Sequence, residues 1–451
     1  MNNILSPNLW SFIWHFLQKY KRIAVVFAMV AMFSGLWAPL NSLLFKYIID
    51  NLENASQDNI LSMVLIPAIF FVVNYEAHNL CWRIMGYINY KYEPVIKNQI
   101  ISETFGYVHK HTHQFFQDNL AGSIASQITI LADNIEKIVH DISRQLLRSC
   151  MLLGISFVSM YSVHPQFFYV LLTWFIIFAV ISLSKSAKLI DLSRSHAKAD
   201  SVVSGELVDS ITNASNVRIF AQRNYETSYL GKSLSRAKKT FQIKELFEIK
   251  LRLFQGASIS IMLGFMLYIL IKLRINNIVT IGDFALILSL SAEVAFMTWW
   301  GLEQIDDLNK AVGKCKQSLS SLFVPLEIKD KENAPDLIIK KGEINFQKVK
   351  FHYKGTSGLF EDKSVIIKAG QKVGLVGYSG SGKSSFVNLI LRLYDVTDGQ
   401  ILIDGQDIAS VTQDSLRSKI AMIPQDPSLF HRSLMENIRY GRIEASDDEV
   451  T

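Results

Sequence analysis

Cysteine is scarce in this chain: three residues in 451, Cys81, Cys150 and Cys315, scattered and without a CxxC pair. That spacing excludes a zinc site or a disulfide framework and leaves the three as small apolar residues. Charge is scarce as well. Asp, Glu, Lys and Arg make up 19% of the residues against 49% hydrophobic ones, and the mean hydropathy is positive, which lies outside the soluble range and implies a membrane protein. The net charge of +6 comes with no base-reading motif. Anionic cytoplasmic lipid accounts for it, and no nucleic-acid partner is expected. A secretory signal is missing too, because in 8–20 (NLWSFIWHFLQKY) the basic residues Lys19, Lys21 and Arg22 follow the aromatic segment and no small-residue cleavage site closes it.

Residues 8–20 read instead as an interfacial helix with Trp10, Ile13, Trp14 and Leu17 on one face. Six apolar spans follow, at 23–45, 60–82, 140–163, 166–184, 253–275 and 281–304, each near or above the ~20 residues that cross a bilayer. Links one, three and five are short, whereas links two and four are long, polar and helix-prone. The fourth link carries ten Lys and Arg between Lys185 and Lys239, and the first carries Asp50, Glu53 and Asp58. By the positive-inside rule the long links and both termini are cytoplasmic, with Lys272 and Arg274 in the fifth link as a local exception. Glu76, His78, Arg144, Arg148 and Glu293 are ionisable residues in or near the spans and candidates for a cavity lining, with ordinary salt bridges as the alternative for the two arginines. Arg83 sits at a span end, where a basic residue needs no special role.

From about Lys314 the composition turns polar, and 323–341 reads as a linker into a soluble domain that begins near Gly342. The order predicted there is strand at 343–353, strand at 364–368, strand at 371–376, a loop at 377–384 (GYSGSGKS), and a helix over 385–394. The loop is a complete G-x-x-x-x-G-K-S motif. Gly377, Ser379, Gly380, Ser381 and Gly382 let backbone N–H groups converge on phosphate oxygens. Lys383 reaches the β- and γ-phosphates, Ser384 places its hydroxyl on Mg²⁺, and the helix opening at Ser384, Ser385 and Phe386 aims its positive end at the same phosphates. Tyr353 ends a strand ahead of the loop, where an exposed aromatic stacks on adenine; an ordinary strand tyrosine is the alternative.

The six spans with long cytoplasmic links, Tyr353, the loop, and Ile423-Pro424-Gln425-Asp426-Pro427 together resemble an ABC transporter of the exporter type. Arg392-Leu393-Tyr394-Asp395, 401–408 (ILIDGQDI) and 429–438 resemble that family's nucleotide domain closely. The resemblance implies a multi-domain membrane protein: an all-α six-helix transmembrane domain with long cytoplasmic helical extensions, followed by an incomplete α/β P-loop nucleotide-binding domain. The divisions expected are 1–22 interfacial helix, 23–313 transmembrane domain, 314–341 linker and 342–451 ATP-binding portion. It implies ATP and Mg²⁺ as cofactors, Tyr353 at adenine, and Gln425 as the Q-loop residue beside Mg²⁺ with Ser384. It also implies coupling tips at 115–128 and 217–229, a second half-transporter as homo- or heterodimer partner, contact with membrane lipid, and a hydrophobic or amphipathic small molecule or lipid as cargo. The location implied is a bacterial inner membrane with the nucleotide domain in the cytoplasm.

After the Q-loop the sequence carries no LSGGQ-type signature, Walker B aspartate, catalytic glutamate or switch histidine; 203–207 (VSGEL) is no substitute. Two copies would not complete the family's ATP sandwich, and negligible hydrolysis by this chain alone is expected, phosphoryl transfer needing a held Mg²⁺ and a positioned water. Ser446-Asp447-Asp448-Glu449 is a capping box that starts a helix two residues before the sequence stops, so a fragment, a premature stop or a split reading frame is expected. The readings left open are an ATP-driven exporter, a non-catalytic remnant that at most binds nucleotide or heterodimerises, and a gated channel on the same scaffold.

Overall fold

Asn8 opens the first helix, α1 (Leu9–Leu17), by accepting the backbone N–H groups of Trp10 and Ser11 at 3.1 and 3.4 Å. Its buried face is Leu9, Phe12, Ile13 and Phe16, while Trp10 and Trp14 point outward at 55% and 59% exposure. Beside the face that carries Trp10 and Trp14 there is thus a second, buried one, of which the sequence reading named only Ile13. Phe12 packs edge-on against Phe323 at 5.4 Å and takes the core side, leaving the amphipathic indoles for the outside. This computed structural model describes residues 7–355, 358–423 and 428–451. By contacts the chain forms two units, Met1–Phe105 with Ala125–Phe323, and Gly106–Ile124 with Val324–Thr451.

In the first unit, the first span is broken into α2 (Lys21–Ser34) and α3 (Trp37–Asn54). Two residues cause the break. Pro39 lacks the N–H that would bond the Gly35 carbonyl, and a Cβ on Gly35 would lie 2.6 Å from the Arg148 carbonyl oxygen, so only glycine allows that close approach. The later helices, of which α5 belongs to the second unit, are α4 (Ile60–Val108), α5 (His113–Asp118), α6 (Ala121–His140), α7 (Leu147–Val163), α8 (Pro165–Thr212), α9 (Ala214–Ile219), α10 (Arg223–Ile275) and α11 (Ile281–Leu322), with a six-residue π-helix, Asp141–Leu146, joining α6 to α7. Among the described residues six helical stretches are long and apolar enough to cross a membrane. At 1.5 Å per residue the 49 residues of α4 extend about 73 Å, more than twice the ~30 Å hydrocarbon thickness. The long links are thus continuations of the span helices. Trp174, Phe178, Met262, Met266, Leu286 and Leu290, from α8, α10 and α11, belong to one apolar core. α11 continues to Leu322 with Cys315, Leu319 and Leu322 buried, beyond the composition change near 314.

A polar cluster between the first and fifth links explains the exception to the charge rule. Arg274 reaches Glu53 at 3.1 Å and donates to the Val279 carbonyl at 3.0 Å, so its charge is matched locally. Beside it Lys46 bonds Asp283, Asp50 accepts the Gly282 N–H at 2.9 Å, and Thr280 and Asp283 form the capping box of α11.

In the second unit, β1 (Ile344–Phe351), β2 (Phe360–Ile367), β3 (Asp398–Ile403) and β4 (Gln406–Asp407) form an antiparallel sheet of order β2-β1-β3-β4, with Phe346 opposite Val365 and Ile401. The alternation in β1 is shifted by a bulge after Phe346, so Val349 and Phe351 continue the buried face. The short helices α12 (Lys383–Ile390) and α13 (Gln413–Arg417) supply Phe386, Leu389 and Leu416 to this core, with Phe386 stacked on Phe346 at 4.3 Å. α14 (Leu434–Arg439) and α15 (Asp447–Val450) both begin with capping boxes, the latter at Ser446 and Glu449 as the sequence implied. The strand expected at 371–376 does not form: it pairs with no described strand, and Val376 is 94% exposed. A strand leading into a phosphate loop is held by parallel neighbours brought by crossovers, and the four antiparallel strands bring none alongside it.

Asp404 fastens the start of this unit. Its carboxylate accepts the N–H groups of Lys340, Lys341, Gly342 and Glu343 at 2.6 to 3.0 Å. These bonds, that of Gly342 foremost, hold its carboxyl well below the usual carboxylate range. Because the folded value is depressed, the contribution is complete above the unfolded value of about 3.9 and is lost as pH falls towards the folded one. Asp404→Asn is expected to lower the melting temperature of the full chain at pH 7, with the gap to the native protein closing below about pH 4. A constant gap across that range would contradict this account.

Candidate functional site

The loop 377–384 is shaped as a cradle by backbone angles that L side chains rarely adopt. Gly377, Gly380 and Gly382 have φ of +155°, +81° and +88°, and a Cβ on Gly377 would lie 2.6 Å from the Ser381 hydroxyl. Gly382 caps α12, whose N-terminus carries Lys383, Ser384 and Ser385 in its first turn. Lys383 Nζ donates to the carbonyls of Gly377 and Tyr378 at 2.9 and 2.8 Å and to Ser381 Oγ at 3.4 Å. The ammonium is thus folded back over the loop that α12 points into, where phosphate oxygens would replace the carbonyls as its acceptors. Glycine cradle, helix N-terminus and ammonium fit a polyphosphate. For a divalent cation the fit is partial: Ser384 offers one hydroxyl, Gln425 lies outside the described residues, and no three His, Cys, Asp or Glu converge among the described residues.

Tyr353 follows β1 and is half-buried, with its hydroxyl 2.8 Å from Ser385 Oγ. Its ring meets Phe351 at 4.9 Å and Tyr394 at 5.2 Å, both edge-on. The sequence placed Tyr353 near the loop but gave no sign of the bond to Ser385. Burial pushes the Tyr394 phenol above its ordinary value, and the neighbouring Tyr353 and Asp118 add to that shift. Arg392, between α12 and Tyr394, is 3% exposed; its Nε bonds Asp395 at 2.8 Å and its other nitrogens meet the carbonyls of Ile408, Val411 and Lys329 at 3.3 to 3.4 Å.

In the first unit, His78 and Arg144 line one open cavity of about 490 Å³ with Tyr75, Asn79, Trp82 and Arg83. Trp82 donates its indole N–H to His78 Nε2 at 2.9 Å, and His78 stacks on Trp37 at 4.7 Å. The Arg144 and Arg148 guanidinium groups lie 4.1 and 5.7 Å from the centre of the Trp82 ring. Among the described residues neither arginine enters an ion pair; Arg144 Nη1 lies 2.7 Å from His140 Nε2. Glu76, exposed beside Asn79, and Glu293 do not line this cavity. Arg83 does, although its place at a span end argued against it; the signal available was its spacing, one helical turn from Asn79 on α4.

A glycine cradle at a helix N-terminus, on a chain with six membrane-length helices, defines a P-loop membrane protein. Comparison with known proteins narrows this further. Residues 24–299 match the family described as ABC transporter transmembrane region, and 360–451 match the family described as ABC transporter; the chain belongs to the ABC transporters and is a multi-pass membrane protein. An uncharacterized ABC transporter ATP-binding protein of Haemophilus influenzae is 32% identical over 337 residues, 74% of this chain and 55% of that protein. The mitochondrial iron-sulfur clusters transporter ATM1 of Candida albicans is 32% identical over 298 residues, 60% of this chain and 39% of its own length. The chain thus spans about half or less of the length of these relatives. A solved bacterial Atm1-family ABC exporter with ATP bound matches the fold with a TM-score of 0.81 at 20% identity, covering 96% of this chain and 76% of the other.

Proposed function

We propose that this chain is one half of an ATP-driven exporter whose cargo is an amphipathic small molecule carrying negative charge. The observation that carries the reading is the cradle at 377–384 on the same polypeptide as six membrane-length helices. In this reading Gly377, Ser379, Gly380, Ser381 and Gly382 wrap the ATP phosphates, Lys383 neutralises them, and the first turn of α12 with Ser385 completes the contact. Ser384 and Gln425 hold Mg²⁺, which shields the charge of the terminal phosphates when bound, and Tyr353 lies on the adenine side. The second half-transporter finds support in the tip at 217–229, where Ile219 and Phe220 are exposed and apolar and would suit docking on a partner. Exposed Ile66, Phe70 and Val73 on α4 suit contact with lipid. The Haemophilus relative supports a bacterial inner membrane.

Charge argues for the cargo. Arg83 and Arg144, with Arg148 close by, stand beside Trp82, His78 and Tyr75 without a carboxylate in the cavity lining. The positive groups stand at the ends of their spans, Arg144 bonded to His140 Nε2 at 2.7 Å and Arg83 to Asn79 at 3.4 Å, with no ion pair among the described residues; an anion with an aromatic or apolar body suits both parts of such a lining. The Candida relative is named an iron-sulfur clusters transporter. Such a cargo suits this cavity as an already liganded anion, since no group of metal-binding side chains converges among the described residues. The test is ATP-dependent uptake of a fluorescent aromatic sulfonate into inverted native membrane vesicles. Arg144→Glu is expected to cut uptake about tenfold or more while Arg144→Lys keeps most of it, the difference between unlike and like charge at a partly desolvated site. Equal uptake by Arg144→Glu and the native protein would remove the anionic reading.

A further inference from the structure

Two tyrosines join the phosphate loop to α5. Ser385, buried in the first turn of α12 and next to Ser384, shares a 2.8 Å hydrogen bond with the Tyr353 phenol, and either oxygen can be the donor. Tyr353 meets Tyr394 edge-on at 88°, and both rings pack on Phe351, at 4.9 and 5.8 Å. Tyr394 in turn donates its hydroxyl to Gln117 Oε1 at 3.4 Å, and its ring lies edge-on to His113 at 6.5 Å. The Gln117 amide and His113 Nε2 are 3.0 Å apart, closing the chain on α5. Every residue in this series belongs to one compact unit.

We propose that Tyr353 and Tyr394 form a relay through which occupancy of the phosphate loop is felt at α5, with Tyr394 as a positioning residue. The inference rests on the loop binding ATP. A phosphate at the N-terminus of α12 is a strong, charged acceptor, and hydrogen bonds to charged groups are about twice as strong as neutral ones. It therefore claims the Ser385 hydroxyl proton, which leaves Ser385 Oγ as acceptor and obliges Tyr353 to donate. The bond between them, undirected otherwise, becomes directed and is strengthened by polarisation along the series. Fixing the Tyr353 ring fixes Tyr394, because the two rings meet edge-on and both pack on Phe351 in a close-packed core that does not deform continuously. The Tyr394 hydroxyl then holds Gln117, and with it the one and a half turns of α5. Tyr353 thus has a second role beyond any contact with the base: its hydroxyl reads the loop and its ring passes the reading on.

Hydrogen exchange in the full chain, with and without MgATP, tests the relay. MgATP is expected to slow exchange of the amides over 113–118 about threefold, the size of one neutral hydrogen bond gained. Tyr394→Phe keeps the ring and removes the hydroxyl. It is expected to bind MgATP within about threefold of the native affinity and to lose most of the slowing, and Gln117→Ala, altered on the other side of the same bond, is expected to do the same. Retained slowing in both variants overturns the relay. Native protein that binds MgATP with no change over 113–118 overturns the relay alone, whereas native protein that binds none overturns the reading of the loop as well.

Discussion

Replacing Arg392 with alanine is expected to destabilise the C-terminal unit by about 3 kcal/mol, the upper range for buried acceptors left without their donor, since the two carboxylates it meets stay partly solvated. The side chain is 3% exposed, and its guanidinium ties together segments far apart in sequence: Asp395 at 2.8 Å, the Ile408 and Val411 carbonyls at 3.3 and 3.4 Å, and the Lys329 carbonyl at 3.4 Å, with Asp330 at 3.7 Å. Alanine would leave three carbonyls without this donor and a cavity among Ile408, Val411 and Leu391. Lysine keeps the charge but offers a single point of donation in place of a fork, so Arg392→Lys is expected to recover less than half of the loss. Thermal melts of the full chain read the effect, since 1 kcal/mol moves a unit of this size by roughly 2–8 °C. A shift of Arg392→Ala within about 0.5 kcal/mol of native, the usual range for surface substitutions, would show that the guanidinium is not the fastening point described.

The second large effect falls on nucleotide affinity. Lys383→Ala is expected to weaken MgATP binding about 10- to 100-fold, the equivalent of one charge-assisted hydrogen bond of roughly 1.5–3 kcal/mol. In the structure Lys383 Nζ already lies over the loop, held by the Gly377 and Tyr378 carbonyls at 2.9 and 2.8 Å. The ammonium therefore needs little reorganisation to meet phosphate. Lys383→Arg is not expected to rescue binding, because the planar fork is larger than the compact ammonium that the glycine turn accommodates. Neither change touches the core of Phe346, Phe386 and Leu389, so melting temperatures should stay near native. Titration of a fluorescent ATP analogue into the full chain measures the loss; equal affinity in Lys383→Ala would mean that phosphates do not sit in this loop.

What was legible in the sequence follows the range of the forces involved. The loop was readable because its needs are local: glycines where φ is positive, a lysine and hydroxyls at a helix start. The spans were readable because a bilayer imposes one long apolar run on each helix. The break between α2 and α3 was also written locally, in Gly35 and Pro39, but a span reading averages over such pairs. The strand at 371–376 was misjudged because a parallel strand exists only through its neighbours, which its own apolar residues cannot specify. The buried side of α1 was not legible for a similar reason: only Phe323, distant in sequence, shows that Phe12 packs inward beside the outward Trp10 and Trp14. Arg83 carried no motif, and Asp404 lay inside 401–408 without any sign of its own role. Their roles come from what the fold brings beside them, a cavity wall for one and four backbone N–H groups for the other.

The most direct test of the central claim is orthovanadate-sensitive ATP turnover in native membranes that contain this chain, compared with the same membranes carrying Lys383→Ala. An exporter half whose phosphate loop handles ATP predicts turnover that vanadate suppresses and that the substitution lowers about tenfold or more, in line with a lost charge-assisted contact. Turnover of equal size and equal vanadate sensitivity in both membranes would contradict it.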